Sequence, residues 1–280
     1  MPSFKHEGRR IAYQEYGDGP RSCVLIHGLL LSQKMHRPLA RALAKGGNRV
    51  ITVDLLGHGR SERPRDMNAY SMGQFAGQVV ALLDHLEIDE AVVAGTSLGA
   101  NVALEVAVMA PARVRGLVME MPVLDNALLA CAIAFTPLMV ALTFGEPVMR
   151  LLQQVTRRVP TADGPWLADV ALDTLRQHPG PSAAVLQGLF FGRVAPPKSE
   201  RRLVEAPALV IGHKRDPVHP FSDSDALVGE LPNARLVRAD SILELRTSPE
   251  RLTGEIADFL DACWKPTRRG GRTAARTRVA

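Results

Sequence analysis

Ala91-Val92-Val93-Ala94-Gly95-Thr96-Ser97-Leu98-Gly99-Ala100-Asn101-Val102-Ala103-Leu104-Glu105 is the stretch that decides the fold. Its first four residues are a short continuous apolar run, the mark of a strand covered on both faces. Its last five have helical composition, and Gly95 and Gly99 bracket a serine between them in a G-x-S-x-G pattern. A serine on so tight a strand-to-helix turn needs small neighbours, because the strained backbone brings helix and strand almost into contact. The turn holds the hydroxyl outward, and the helix that begins there aims N–H groups and its positive dipole end at any developing anion. A serine in a purely structural turn would carry the same five letters, so the weight lies in the flanking strand and helix.

Working outward, similar apolar runs occupy Cys23 to Ile26, Val50 to Val53, Val114 to Met119 and Ala208 to Ile211. Helical spacing lies between them: Leu39, Leu43 and Ala44; Val79, Leu82, Leu83 and Leu86; Val102, Leu104, Val106 and Met109. Strand alternating with helix predicts a mostly parallel, doubly wound α/β sheet with its ligand site at the carboxyl ends of the strands. Ser3 to His6 and Arg10 to Tyr16 read as an antiparallel hairpin at one edge. Leu252, Ile256, Phe259, Leu260 and Cys263 predict a last amphipathic helix, introduced by Ser248 and Pro249.

The alternation stops between Asp125 and Ser199, where no strand is readable and several helices are, one with Val148, Leu151, Leu152 and Val155 on a single face. Ala127 to Phe144 carries no charge and approaches the length of a membrane span. Pro137 is expected to divide it, Thr136-Pro137 starting a second helix. Its place between two sheet strands favours an apolar lid over a membrane helix. The predicted organisation is a core over 1–124 and 200–264, a helical cap over 125–199, and a basic tail over 265–280.

The 280 residues are 46% apolar and 22% charged, which excludes a disordered or fibrous chain. The net charge of +5 suggests a nucleic-acid partner until it is located. Lys265, Arg268, Arg269, Arg272, Arg276 and Arg278 all follow Trp264, and without them 28 basic residues face 29 acidic ones. The body of the chain is therefore neutral, the tail is expected to be disordered, and no nucleic-acid partner is expected. Three cysteines are too few for a disulfide framework and no export signal is readable, so a reducing, cytoplasmic setting is expected.

With these elements the chain resembles the α/β-hydrolase superfamily over its full length except the tail. The matching motifs are His27-Gly28, Gly57-His58-Gly59-Arg60-Ser61, the turn at Ser97, and Asp216-Pro217-Val218-His219-Pro220. The resemblance implies that Ser97 is a nucleophile and that the N–H groups of Leu29 and Leu98 form an oxyanion hole. A serine at this position separates the chain from the haloalkane dehalogenase and epoxide hydrolase branches, which use aspartate there. Asp216 matches the family's orienting acid, although an Asp before Pro also serves as a turn residue capping its own backbone. Glu120, ending an apolar strand, matches a second location of that acid and needs a partner if buried; the alternatives are a solvated strand end or a partner for an arginine of the cap.

One element of the pattern is missing. Relatives carry Gly-His after the last strand, and counting back seven residues from Pro249 lands on Ile242, with no histidine anywhere beyond His219. Loss of the base in a serine triad costs on the order of a million-fold, so another group must take the proton if Ser97 is active. His219 follows Asp216 by three residues, a reach of about 10 Å at most. An acid and serine bridged by one imidazole are roughly 7 Å apart, so a base on the acid's own loop is geometrically allowed. His219 is thus either the replacement base or a pocket-wall imidazole; His213, three residues before the acid, and His36 are weaker candidates.

Leu128, Leu129, Ile133, Phe135, Leu138, Met139 and Phe144, with Phe190 and Phe191, offer an apolar ceiling, although helical lids also bury such residues against each other. The resulting expectation is a cofactor-independent hydrolase for a small to medium apolar ester, thioester, lactone or related carbonyl compound. The alternatives are a lyase or cyclase using the same pocket, and a ligand-binding relative that has lost hydrolysis.

Overall fold

A computed structural model describes residues 1–157 and 166–265; the expected tail beyond Lys265 lies outside the described residues. Eight strands form one sheet: β1 (Ser3–His6), β2 (Arg9–Tyr16), β3 (Arg21–Ile26), β4 (Asn48–Asp54), β5 (Ala91–Thr96), β6 (Val114–Glu120), β7 (Ala208–His213) and β8 (Ala234–Ala239). Their order is β1-β2-β4-β3-β5-β6-β7-β8. β1 and β2 run antiparallel at the edge, as the hairpin pattern predicts, and β4 through β8 are parallel. The order reverses between β3 and β5, and a crevice at the carboxyl ends of those strands is where a doubly wound sheet takes its ligand.

Both faces of the sheet are covered, which is why its strands are apolar throughout. α2 (Met72–His85) and α3 (Leu98–Met109) pack on one face, burying Phe75, Val79, Leu83 and Val102 against Val24, Val93 and Leu117. α1 (Arg37–Lys45) and the last long helix, Glu250–Trp264, pack on the other, burying Leu39, Leu43, Leu252 and Ile256 against Leu25, Val92 and Leu209. The predicted buried stripe of that last helix is buried at all five positions.

Between β6 and β7 lie α4 (Leu128–Phe144), α5 (Glu146–Arg157), α6 (Trp166–Leu175), α7 (Pro179–Phe190) and the short α8 (Lys198–Arg201). α4 is one continuous helix with Pro137 inside it, contrary to the expected division. The missing proline N–H leaves the Ile133 carbonyl without its helical donor, and Ile133 sits on the solvent side, where water can serve instead. By length and composition alone, Asp125–Phe144 could cross a membrane, yet Phe135, Leu138, Met139 and Leu142 pack on Leu30 and Leu186. Beyond β7 follow α9 (Phe221–Glu230), α10 (Glu244–Thr247) and α11 (Glu250–Trp264).

Two side chains tie the inserted helices to the core. Asn101 on α3 donates from Nδ2 to the carbonyls of Val123 and Val194 and accepts from the Val123 N–H, so it holds both crossings of the chain. Asp223 on α9, fully buried, accepts from the N–H groups of Leu124, Asn126 and Ala127. These bonds satisfy the donors that open the first turn before α4.

Candidate active site

The β5–α3 turn places Ser97 at φ 53° and ψ −114°, a conformation that few side-chain-bearing residues adopt. Its neighbours make this feasible. A Cβ at Gly95 would run into the Gly99 carbonyl, and one at Gly99 into the Ile26 carbonyl, so only glycine lets β5, α3 and β3 meet here. The Ser97 N–H donates to the Glu120 carbonyl at 2.8 Å, fixing the turn to the end of β6.

The loop after β7 brings two predicted residues to this turn. His219 Nε2 lies 2.8 Å from Ser97 Oγ, and His219 Nδ1 lies 2.9 Å from Asp216 Oδ2. The other Asp216 oxygen accepts the N–H groups of Val218 at 2.8 Å and His219 at 2.9 Å. The carboxylate therefore shapes its own loop and grips the imidazole at the same time. Burial alone would raise the Asp216 pKa, but the hydrogen bonds from the His219 ring and from the two backbone N–H groups outweigh it and hold it at about 2. An ionised acceptor facing Nδ1 puts the ring proton there and leaves the Nε2 lone pair toward the serine hydroxyl.

Glu120 is not brought to His219. Register sets it beside Thr96, where its Oε2 accepts from Thr96 Oγ1 at 2.6 Å and from Arg246 Nη2 at 2.7 Å. Burial pushes this carboxyl up, but the guanidinium, with His213 and Thr96, outweighs it and holds the pKa far below the ordinary range. Of the two partners open to a buried acid here, the structure has the arginine, and it comes from α10 rather than from the inserted helices. Arg246 was not singled out by sequence reasoning. The one signal for it was the need of a buried acid for a cation, which names no position.

The remaining histidines face elsewhere. His213 Nδ1 bonds to the Ser241 carbonyl and its Nε2 is 3.7 Å from Glu120. His36 is buried with Nε2 on the Ile26 carbonyl; burial, then the Arg246 charge, depresses its pKa to about 3. Burial also lowers His27 and His58, which pack against each other.

Above Ser97 lies a cavity of about 280 Å³ lined by Leu29, Leu98, Val123, Phe135, Met139 and Leu186 among others. Asn101 also lines it, but its amide is occupied by the backbone bonds described above. Leu29 and Leu98 meet Ser97 in this cavity, and their N–H groups have no acceptor among the described residues. Leu128, Phe135, Met139 and Phe190 of the expected ceiling line it, whereas Leu129, Ile133, Phe144 and Phe191 point outward.

The family model described as the alpha/beta hydrolase fold matches residues 23–241. Over 113 residues, 40% of this chain, the sequence is 35% identical to a 3-hydroxybutyrate-oligomer hydrolase of Cupriavidus necator, of which 38% is covered. Over 95 residues, 34% of this chain, it is 39% identical to epoxide hydrolase B of Mycobacterium tuberculosis, of which 27% is covered. The chain thus matches well under half the length of these curated relatives. The crystal structure of the enol-lactonase from Burkholderia xenovorans LB400 superposes over 93% of this chain and 100% of that one, with TM-score 0.75 and 25% identity.

Proposed function

The chain belongs to the alpha/beta hydrolase fold family, and on that premise we propose that it is a serine hydrolase acting on a small to medium apolar ester, thioester or lactone. The observation that carries this reading is the contact chain Ser97 Oγ to His219 Nε2 and His219 Nδ1 to Asp216 Oδ2, at 2.8 and 2.9 Å. His219 Nε2 accepts the hydroxyl proton as Ser97 Oγ attacks the substrate carbonyl. Asp216 keeps the other ring nitrogen protonated and stabilises the imidazolium that forms. The Leu29 and Leu98 N–H groups, with the positive end of α3, receive the charge on the carbonyl oxygen. The imidazolium returns its proton to the leaving oxygen or sulfur. A water then attacks the acyl-serine, giving its proton to His219, which passes it to Ser97 Oγ as the acyl–Oγ bond breaks and the acid leaves.

The helices over 125–199 act in this proposal as a cap whose inner face selects the substrate. An apolar wall with its amide already occupied offers no partner to a charged acyl group, and burying one there unpaired would be costly. The epoxide hydrolase likeness is confined to part of the chain, and the serine at position 97 with its imidazole supports acyl transfer instead.

A fluorophosphonate probe tests the proposal. Rapid labelling is expected, abolished in Ser97→Ala and reduced by several orders of magnitude in His219→Ala. No labelling of the intact protein would overturn it and favour a lyase, a cyclase or a ligand-binding relative. Full labelling of His219→Ala would overturn the choice of base.

A further inference from the structure

The outer side of the inserted helices is inverted relative to an ordinary surface. On α4, Leu129, Ile133, Pro137, Val140 and Phe144 follow helical spacing along one face, and Leu129, Ile133 and Phe144 are 72%, 68% and 81% exposed. On α5 the apolar stripe Val148, Leu151, Leu152 and Val155 is exposed, while Gln153 and Thr156 are buried. Gln153 donates to the Arg176 carbonyl, and the Thr156 carbonyl accepts from the Arg176 guanidinium. Polar side chains thus face the protein and aliphatic ones face out, the reverse of a helix whose outer face meets water.

We propose that this α4–α5 face is the interface with a second copy of the same chain. Eight large apolar side chains at this exposure present on the order of 1,000 Å². That exceeds the roughly 300–600 Å² of the largest patch on an ordinary monomer and matches the ~800 Å² each partner commits to a stable complex. No Asp, Glu, Lys, Arg or His lies between Asp125 and Glu146, as in the charge-depleted centre of an interface. Glu146, the first residue of α5, takes both Arg65 and Arg150, a polar rim with one excess positive charge. The uncharged α4 stripe can meet its own copy about a two-fold axis with no like charges opposed at the centre of the contact.

The same features disfavour a lipid surface. An interfacial helix carries lysine or arginine to meet anionic headgroups; α4 carries neither, and α5 contributes Arg150, which is paired with Glu146, and Arg157 at its end. The basic run begins at Lys265, next to Trp264, whose ring lies under Arg115 near the amino end of β6. The inserted helices sit at the opposite, carboxyl end of the strands. The inner side of α4 also roofs Ser97, so pairing would hold that roof from outside.

Sedimentation velocity on the full 280-residue chain at about 1–100 μM tests the interface, since standard-size interfaces associate at micromolar concentration or below. A species of twice the 30.4 kDa chain mass is expected. Ile133→Glu with Leu151→Glu should be monomeric with an unchanged circular-dichroism spectrum. Phe144→Lys, a milder change at the end of the same face, should raise the dissociation constant at least tenfold. A monomeric wild-type chain at the top concentration, with or without flotation on phosphatidylcholine–phosphatidylglycerol vesicles, would overturn the proposal. So would a double variant that stays dimeric.

Discussion

Two carboxylates near the Ser97 turn are each joined to a basic side chain. In the loop after β7, Asp216 holds an imidazole that faces the hydroxyl; at the end of β6, Glu120 holds the guanidinium of Arg246. Both carboxyls are held below their ordinary pKa values by their partners. The difference lies in what the partner can do next. An imidazole exchanges a proton near neutral pH, whereas a guanidinium stays charged throughout the accessible range. The first pair is therefore suited to chemistry, and the second to holding Thr96 and, through the Glu120 carbonyl, the Ser97 N–H.

Replacing the members of each pair should separate these roles. His219→Ala is expected to lower kcat by on the order of a million-fold with an unfolding midpoint near that of the parent, and Asp216→Asn to lower it by about 10⁴-fold. Steady-state kinetics on a chromogenic ester would measure both. Glu120→Ala should reverse the pattern. Stranding the largely buried Arg246 is expected to cost about 3 kcal/mol in urea unfolding, while kcat per folded molecule falls less than about tenfold. If Glu120→Ala were as inactive as His219→Ala yet fully stable, the assignment of the two pairs would be wrong.

The smallest effect concerns pH. A carboxyl depressed from 3.8 to about 2 stabilises the fold fully above pH 4 and loses that contribution as pH falls toward 2. The stability difference between the parent and Asp216→Asn, followed by urea titration, should therefore be constant above pH 4 and vanish near pH 2. The Glu120 contribution should persist to lower pH, since its carboxyl is held lower still.

Local signals carried much of this site. The turn at Ser97 was readable because small residues, an apolar strand and a helix must be contiguous in sequence to form it. Asp216 was readable in two ways, as a turn-forming aspartate and as an orienting acid, and the carboxylate does both with its two oxygens. His219 was reachable by counting chain length, because acid and imidazole share one short loop. Arg246 was not, since it meets Glu120 only through the path of β8 and α10. The stripe Val148, Leu151, Leu152 and Val155 was readable as one face of a helix, but periodicity does not say whether a face looks inward, and this one looks out.

The sequence by itself determined the alternation of strand and helix, the serine turn and the short loop that joins Asp216 to His219. Each of these depends on steric and periodic constraints acting over a few neighbouring residues. Only the tertiary structure decided which carboxylate faces the imidazole, which cation neutralises the other, and which side of α4 roofs the cavity. Those outcomes depend on how elements distant in the chain are oriented when they pack, and side-chain direction at a contact is a property of the assembled sheet and its covering helices.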